Sequence, residues 1–211
     1  MSFSMWILDM AKQLEFFFDC SSPWTYLAFV RVHDVVARTG AEIIWKPILV
    51  GGVFNAVNQE VYERRARPEP RKTAYYFKDL QDWARLAGVA IGQPPVFPVN
   101  AVKAMRGALV AQDEGKLVAY SRAVFEAYWG KLEDISQLPV LARIAAEVGL
   151  EPTAFLARID DAQVKERLRQ NTEELIARGG FGSPTMFVDG VDMYFGNDRL
   201  PVVEAALMSG R

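Results

Sequence analysis

The sequence predicts one α/β domain interrupted by a large all-helical insertion, in the order βαβ, a run of helices, then ββα. Three observations carry this. An apolar run, Leu14 to Phe18, passes directly into a helix-start signal at Ser22-Pro23. Strand character fades after Ile48 and returns only at Thr185-Met186-Phe187-Val188. Between them, apolar residues recur at helical spacing.

The first strand spans about Leu14 to Asp19 and is apolar enough to be buried on both faces. Ser22 offers an N-cap hydroxyl, and Pro23 suits the first helical position. Trp24, Leu27, Val30, Val35 and Val36 recur near helical spacing, so a helix runs from Pro23 to about Thr39, with Gly40 just past its end. The second strand is about Glu42 to Ile48, where Pro47 marks its end or an edge. A strand–helix–strand unit with one crossover requires parallel strands and a right-handed connection. Gly51-Gly52-Val53-Phe54-Asn55 breaks the pattern and reads as a loop; Pro68-Glu69-Pro70 is a second break. Lys72 to Ala87 is helical, with Phe77, Leu80, Trp83 and Leu86 on one stripe. Pro94 to Pro98 is a stiff loop. Further helices are expected over Ala101–Gln112, Lys116–Trp129, Ser136 to Gly149, from Pro152, and Asp161–Arg178. Asp189-Gly190 is a hairpin signal between Thr185–Val188 and Val191–Phe195. A last helix covers about Leu200 to Met208, with Pro201 in its first turn. Residues 1–12 read as an N-terminal extension, 13–50 with 179–211 as the α/β unit, and 51–178 as the helical insertion.

Composition narrows the function. The 211 residues carry 24 basic and 26 acidic side chains, for a net charge of −2, and 51 % are hydrophobic. That supports a real core and gives no indication of nucleic-acid binding. One cysteine, Cys20, can form neither an internal disulfide nor a multi-cysteine metal site. Alternation places it beside Phe16 and Phe18 as a small buried hydrophobe. One histidine, His33, sits in a helical pattern and reads as a surface or packing residue. A zinc site and a Ser-His-Asp relay are therefore not expected, and no metal is assigned. No signal peptide or membrane-length apolar run is evident, so the cytoplasm is the expected compartment.

Taken alone, Ser22-Pro23 is most simply a helix cap. The same spot also gathers unpaired N–H groups and the positive end of a helix dipole, which suit an anion.

The order of elements resembles the thioredoxin-like fold with a helical insertion, shared by periplasmic disulfide oxidoreductases and kappa-class glutathione transferases. Ser22-Pro23-Trp24-Thr25 falls where a redox member has Cys-x-x-Cys. With hydroxyls at both positions, dithiol chemistry lacks its two sulfurs. The sequence is most similar to the glutathione-dependent 2-hydroxychromene-2-carboxylate isomerases. The resemblance rests on Phe18-Asp19 with Ser22-Pro23, Asp79-Leu80-Gln81 with Trp83-Ala84, Phe97-Pro98 with Asn100, Phe181-Gly182 with Pro184-Thr185, and Phe195 to Leu200.

What the resemblance implies is glutathione as cofactor and Ser22 as the residue that activates its thiol. It also implies a cis bond at Ser183-Pro184, where the backbone pairs with the glutathione peptide. Ser183, Pro184, Phe195, Gly196, Asn197 and Asp198 would complete the cofactor site, Asp198 suiting the γ-glutamyl ammonium. Phe54, Asn55, Arg67 or Arg71, and Asn100 would meet an aromatic carboxylate substrate. The implied reaction is an isomerisation in aromatic-compound catabolism, by a homodimer without nucleic-acid or membrane partners. A kappa-like transferase releasing the adduct, or a non-catalytic thiol or peptide binder, are the alternatives.

Overall fold

The structure, a computed structural model, describes residues 12–209 of the chain. The extension expected over residues 1–12 falls, Lys12 apart, outside them. Strand β1 (Gln13–Phe18), helix α1 (Pro23–Thr39) and strand β2 (Glu42–Pro47) form the opening βαβ unit. Helices α2 (Val50–Val57), α3 (Glu60–Ala66), α4 (Pro70–Ala87), α5 (Val102–Asp113), α6 (Leu117–Phe125), α7 (Leu138–Glu147), α8 (Pro152–Arg158) and α9 (Ala162–Ala177) follow. Strands β3 (Thr185–Val188) and β4 (Asp192–Phe195) and helix α10 (Leu200–Met208) close the chain. This is the thioredoxin-like plan with a helical insertion.

The sheet order is β2-β1-β3-β4. β1 runs parallel to β2, with Gln13 opposite Glu42, and antiparallel to β3, with Leu14 opposite Val188. An interior strand covered on both faces accounts for the run of three phenylalanines, all fully buried. Phe18 packs on Phe29 of α1 and Phe125 of α6, at 5.7 and 6.4 Å between ring centroids. Phe17 points the other way, into a smaller cluster with Ile48, Val53, Leu175 and Phe187. Cys20 is fully buried in the larger core, as its alternation predicts. The β3–β4 hairpin turns at Asp189 and Gly190, both with positive φ, as a type I′ turn requires.

Four elements differ from the sequence reading. The Gly51–Asn55 stretch is not a loop but lies within α2. Each internal glycine costs a helix about 1 kcal/mol. Burial of Val50 and Val53 offsets this, at roughly 1.5–3 kcal/mol per apolar side chain. The helix start is also capped from afar, the Val50 N–H donating to Asp19 Oδ2 at 2.7 Å and the Leu49 N–H to Thr172 Oγ1 at 3.0 Å. Neither partner is visible in local sequence. Second, the helix expected to reach Trp129 gives way at Glu126–Gly130 to a single π turn. There the Trp129 indole N–H donates to the Cys20 carbonyl at 3.0 Å and the Tyr128 hydroxyl to the Val96 carbonyl at 2.9 Å. Third, the helix expected from Ser136 starts at Leu138, because the Ser136 N–H and hydroxyl are both spent on Asp134 Oδ1. Helix α3, unforeseen, has acidic residues in its first turn and Arg64 and Arg65 in its last, matching its dipole.

His33 packs, half-buried, against Phe29 and Trp45, at 5.6 and 5.5 Å. Burial lowers its pKa, Arg122 adds to this, and Asp34 opposes it. The fold therefore favours neutral imidazole. Its contribution is complete above the ordinary histidine pKa of about 6.5 and is lost as pH falls through that value toward the lower folded pKa. Thermal melts of His33→Gln should lose part of the destabilisation that the parent shows between about pH 7 and 5. Identical pH profiles would contradict the assignment.

Among the described residues no helix is long and apolar enough to cross a membrane, and no group of three or more His, Cys, Asp and Glu could hold a metal.

Candidate active site

Ser22 sits at the handover from β1 to α1. Its backbone is extended (φ −104°, ψ 122°), and its Oγ accepts the Thr25 N–H at 3.2 Å. That is an N-cap. The same hydroxyl donates to the Ser183 carbonyl at 3.3 Å, which brings it against the segment before β3. Half-buried, it stands at the N-terminus of α1, where Pro23 has no N–H, the Thr25 N–H is taken by Ser22 itself, and the Trp24 N–H remains to face a ligand. Thr25, fully buried, shares a 2.8 Å hydrogen bond with the Ser183 hydroxyl. Cys20 is no competing nucleophile: burial pushes its thiol well up, and Asp19 adds to the shift.

The opposite wall is Gly182-Ser183-Pro184. The Ser183–Pro184 peptide is cis, and the Gly196 N–H donates to the Pro184 carbonyl at 3.1 Å. Gly196 has φ +106°, a conformation that disfavours side chains, and a Cβ there would lie 2.7 Å from Asp198 Oδ1. A 3₁₀ turn, Asn197–Arg199, then packs against α1 and α10. Asn197 is only 4 % exposed, yet its amide Nδ2 has no partner. Asp198 is exposed and paired with Arg199 at 3.1 Å. Phe195, also exposed, stacks near Phe181 at 4.5 Å. Ser22, Ser183, Pro184 and Gly196 are thus linked by direct hydrogen bonds.

Beside the Ser22 loop lies an aromatic enclosure. Trp129, bonded to the Cys20 carbonyl, meets Phe97 at 6.1 Å. The Arg65 guanidinium lies over both Phe97 and Phe54, at 5.3 and 5.8 Å from their centroids. Trp24 packs edge-on against Tyr76 at 5.5 Å. Burial raises the Tyr76 phenol, opposed by the Trp24 hydrogen bond and by Arg65. Burial likewise pushes the Tyr128 phenol well up; Asp134 and Asp19 add, and Arg65 opposes. Arg65 therefore acts electrostatically on the phenols of Tyr76, an exposed residue, and Tyr128, a buried one, as well as on two rings. Asn55 accepts from the Tyr62 hydroxyl at 2.8 Å, and Tyr62 in turn meets Phe54 at 6.3 Å. Asn100 Oδ1 accepts the Val102 N–H at 3.2 Å, and its side chain lines a separate cavity of about 350 Å³ with Lys103, Arg106 and Ser136. Arg65, Arg67 and Arg71 are all exposed; of the three, Arg65 alone lies over an aromatic ring among the described residues.

The DSBA-like thioredoxin domain matches residues 13–208. A 2-hydroxychromene-2-carboxylate isomerase of Pseudomonas putida is 33 % identical over 198 residues, covering 92 % of this chain and 93 % of that protein. The chain belongs to the 2-hydroxychromene-2-carboxylate isomerase family. Its structure agrees: a solved 2-hydroxychromene-2-carboxylate isomerase superposes with a TM-score of 0.79 at 30 % identity, over 92 % of this chain and 94 % of that one. Glutathione S-transferase kappa 2 of Caenorhabditis elegans is 28 % identical, over 91 % of this chain and 90 % of that protein. The chain is thus an enzyme of an isomerase family related to kappa-class transferases.

Within this isomerase family fold, sequence reasoning missed Arg65, Trp129 and Asp19 as neighbours of the site. Arg65 stands in a run with Arg64 and Arg67 that carries no periodic signal. Trp129 and Asp19 act through hydrogen bonds to distant backbone.

Proposed function

We propose that this enzyme is a glutathione-dependent isomerase of an aromatic or chromene-type carboxylate, with Ser22 holding the glutathione sulfur. The observation that carries the reading is the Ser22 hydroxyl, set at a helix N-terminus and bonded across to the carbonyl before the cis-proline. The residues present fit a thiol peptide. The Ser22 hydroxyl, the Trp24 N–H and the positive end of the α1 dipole favour thiolate over thiol. The Ser183–Pro184 backbone offers an edge on which a short peptide adds like a strand. The unpartnered Asn197 amide is a buried donor suited to a ligand carboxylate or carbonyl. Asp198 suits an ammonium group; its exposed pair with Arg199 holds it only weakly.

When bound, glutathione supplies a thiolate nucleophile that is regenerated at the end of the cycle. Ser22 would hold that negative charge by turning its single hydroxyl proton from the Ser183 carbonyl to the sulfur, while still accepting the Thr25 N–H. Phe54 and Phe97 give the acceptor ring apolar faces, and Arg65 between them meets its carboxylate. Arg65 thus takes the role that the resemblance offered to Arg67 or Arg71, with Asn55 as a flanking amide; Asn100, which lines the separate cavity, is left out of this site. The reading includes a cytoplasmic homodimer, on the single unpaired cysteine and the resemblance.

Calorimetry with glutathione tests the cofactor; absence of binding at millimolar concentration leaves a non-catalytic fold. The kappa-class relatives support a second reading, a transferase. Glutathione measured during turnover separates the two: it stays constant for an isomerase and falls in step with product for a transferase.

A further inference from the structure

We infer that Asp19 is a positioning residue that couples the two halves of the site, holding the loop that carries Ser22 against the helix that carries Phe54. The inference rests on the reading above for what each half binds. Asp19 is fully buried. One carboxylate oxygen accepts the Ser21 N–H at 2.8 Å, and the other accepts the Val50 N–H at 2.7 Å. Its own N–H donates to the Ser183 hydroxyl at 3.1 Å, itself bonded to Thr25. One residue therefore ties together the Ser22 loop, the start of α2 and the segment before the cis-proline.

The chemistry requires a carboxylate. Two N–H donors from separate chain segments converge on the two oxygens, and only an ionised carboxyl accepts at both without presenting a donor. An asparagine there would turn an NH₂ toward one of them. Burial raises the Asp19 carboxyl above its ordinary range, with the Ser21 and Val50 bonds acting the other way. A group raised in this way loses stability as pH climbs through its folded pKa. The two N–H donors that converge on its oxygens favour the charged form against this burial, so the ties to the Ser22 loop and to α2 are what oppose the cost of the buried carboxyl.

Two variants separate the arms. At constant volume, Asp19→Asn turns an NH₂ against one of the two N–H donors and leaves the other on a neutral amide oxygen in place of a charged one, which weakens both ties. Val50→Pro removes the N–H at the first position of α2, where proline is tolerated, and exchanges the buried valine for another apolar side chain; Leu49 before it is already extended (φ −112°, ψ 103°). For Asp19→Asn, the glutathione Kd and the KM for 2-hydroxychromene-2-carboxylate should each rise about tenfold, as the loss of one buried hydrogen bond implies. Val50→Pro should raise that KM by about the same factor and leave the glutathione Kd within about twofold. A residue that merely stabilises the fold would lower Tm and leave both constants alone. Parent enzyme that fails to bind glutathione overturns the functional reading, not this one. Parent that binds glutathione, with Asp19→Asn unchanged in both constants, overturns the role of Asp19. Should Asp19→Asn not fold, Val50→Pro decides: an unchanged KM sinks the coupling. Should the parent bind glutathione and not turn over the chromene, the glutathione Kd of Asp19→Asn decides.

Discussion

Ser22→Ala should cut turnover about ten- to a hundredfold while lowering stability by only about 1 kcal/mol. The two numbers come from different roles of one hydroxyl. As an N-cap, Ser22 accepts the Thr25 N–H, and losing a serine cap costs about 0.5–2 kcal/mol. In a domain of this size that moves Tm by about 2–4 °C per kcal/mol. As a donor to a thiolate it makes a charge-assisted hydrogen bond, worth about 1.5–3 kcal/mol, or one to two pKa units on the bound thiol. Each unit lost reduces the thiolate population about tenfold near neutral pH. Ser22→Thr keeps both functions and should restore most of each. Turnover with saturating glutathione, set beside thermal melts, checks the split. Full activity in Ser22→Ala would leave the cap as the whole role of Ser22.

Arg65→Gln should raise the KM for a carboxylate acceptor about ten- to a hundredfold and leave the glutathione Kd unchanged, as removing one charge-assisted contact implies. Arg65 lies over both Phe54 and Phe97, so its guanidinium is the cation nearest a ring held between them. Arg67 and Arg71 lie exposed at the end of α3 and the start of α4. The same substitution at either should change KM less than about twofold, since neither lies over Phe54 or Phe97. A substrate analogue without the carboxylate should bind the parent and Arg65→Gln alike. If Arg67→Gln gave the larger KM effect, the cation of the acceptor site would have to be moved there.

Much of this was legible in the chain because it depends on local patterns. Ser22-Pro23 states a helix start, Asp189-Gly190 a type I′ turn, and three consecutive phenylalanines an interior strand. The resemblance carried Ser183-Pro184 and Phe195 to Asp198 to the same end of the sheet as Ser22, and the hydrogen bonds from Ser22 to Ser183 and from Gly196 to Pro184 agree. What escaped the sequence depends on contacts between distant segments. Helix α2 looked like a glycine loop because its cap, Asp19, lies 31 residues upstream. Arg65 was indistinguishable from its neighbours until the fold set it over two rings, Phe54 of α2 and Phe97 of the proline loop. The π turn at Glu126–Gly130 follows from bonds of Tyr128 and Trp129 to Val96 and Cys20, which no periodicity records.

The pKa of glutathione bound to the enzyme, read from thiolate absorbance as pH is raised, tests the central claim most directly. The account predicts a bound thiol titrating below free glutathione, and about one to two units higher in Ser22→Ala than in the parent. A bound thiol that titrates like free glutathione, or identically in the two proteins, would contradict it.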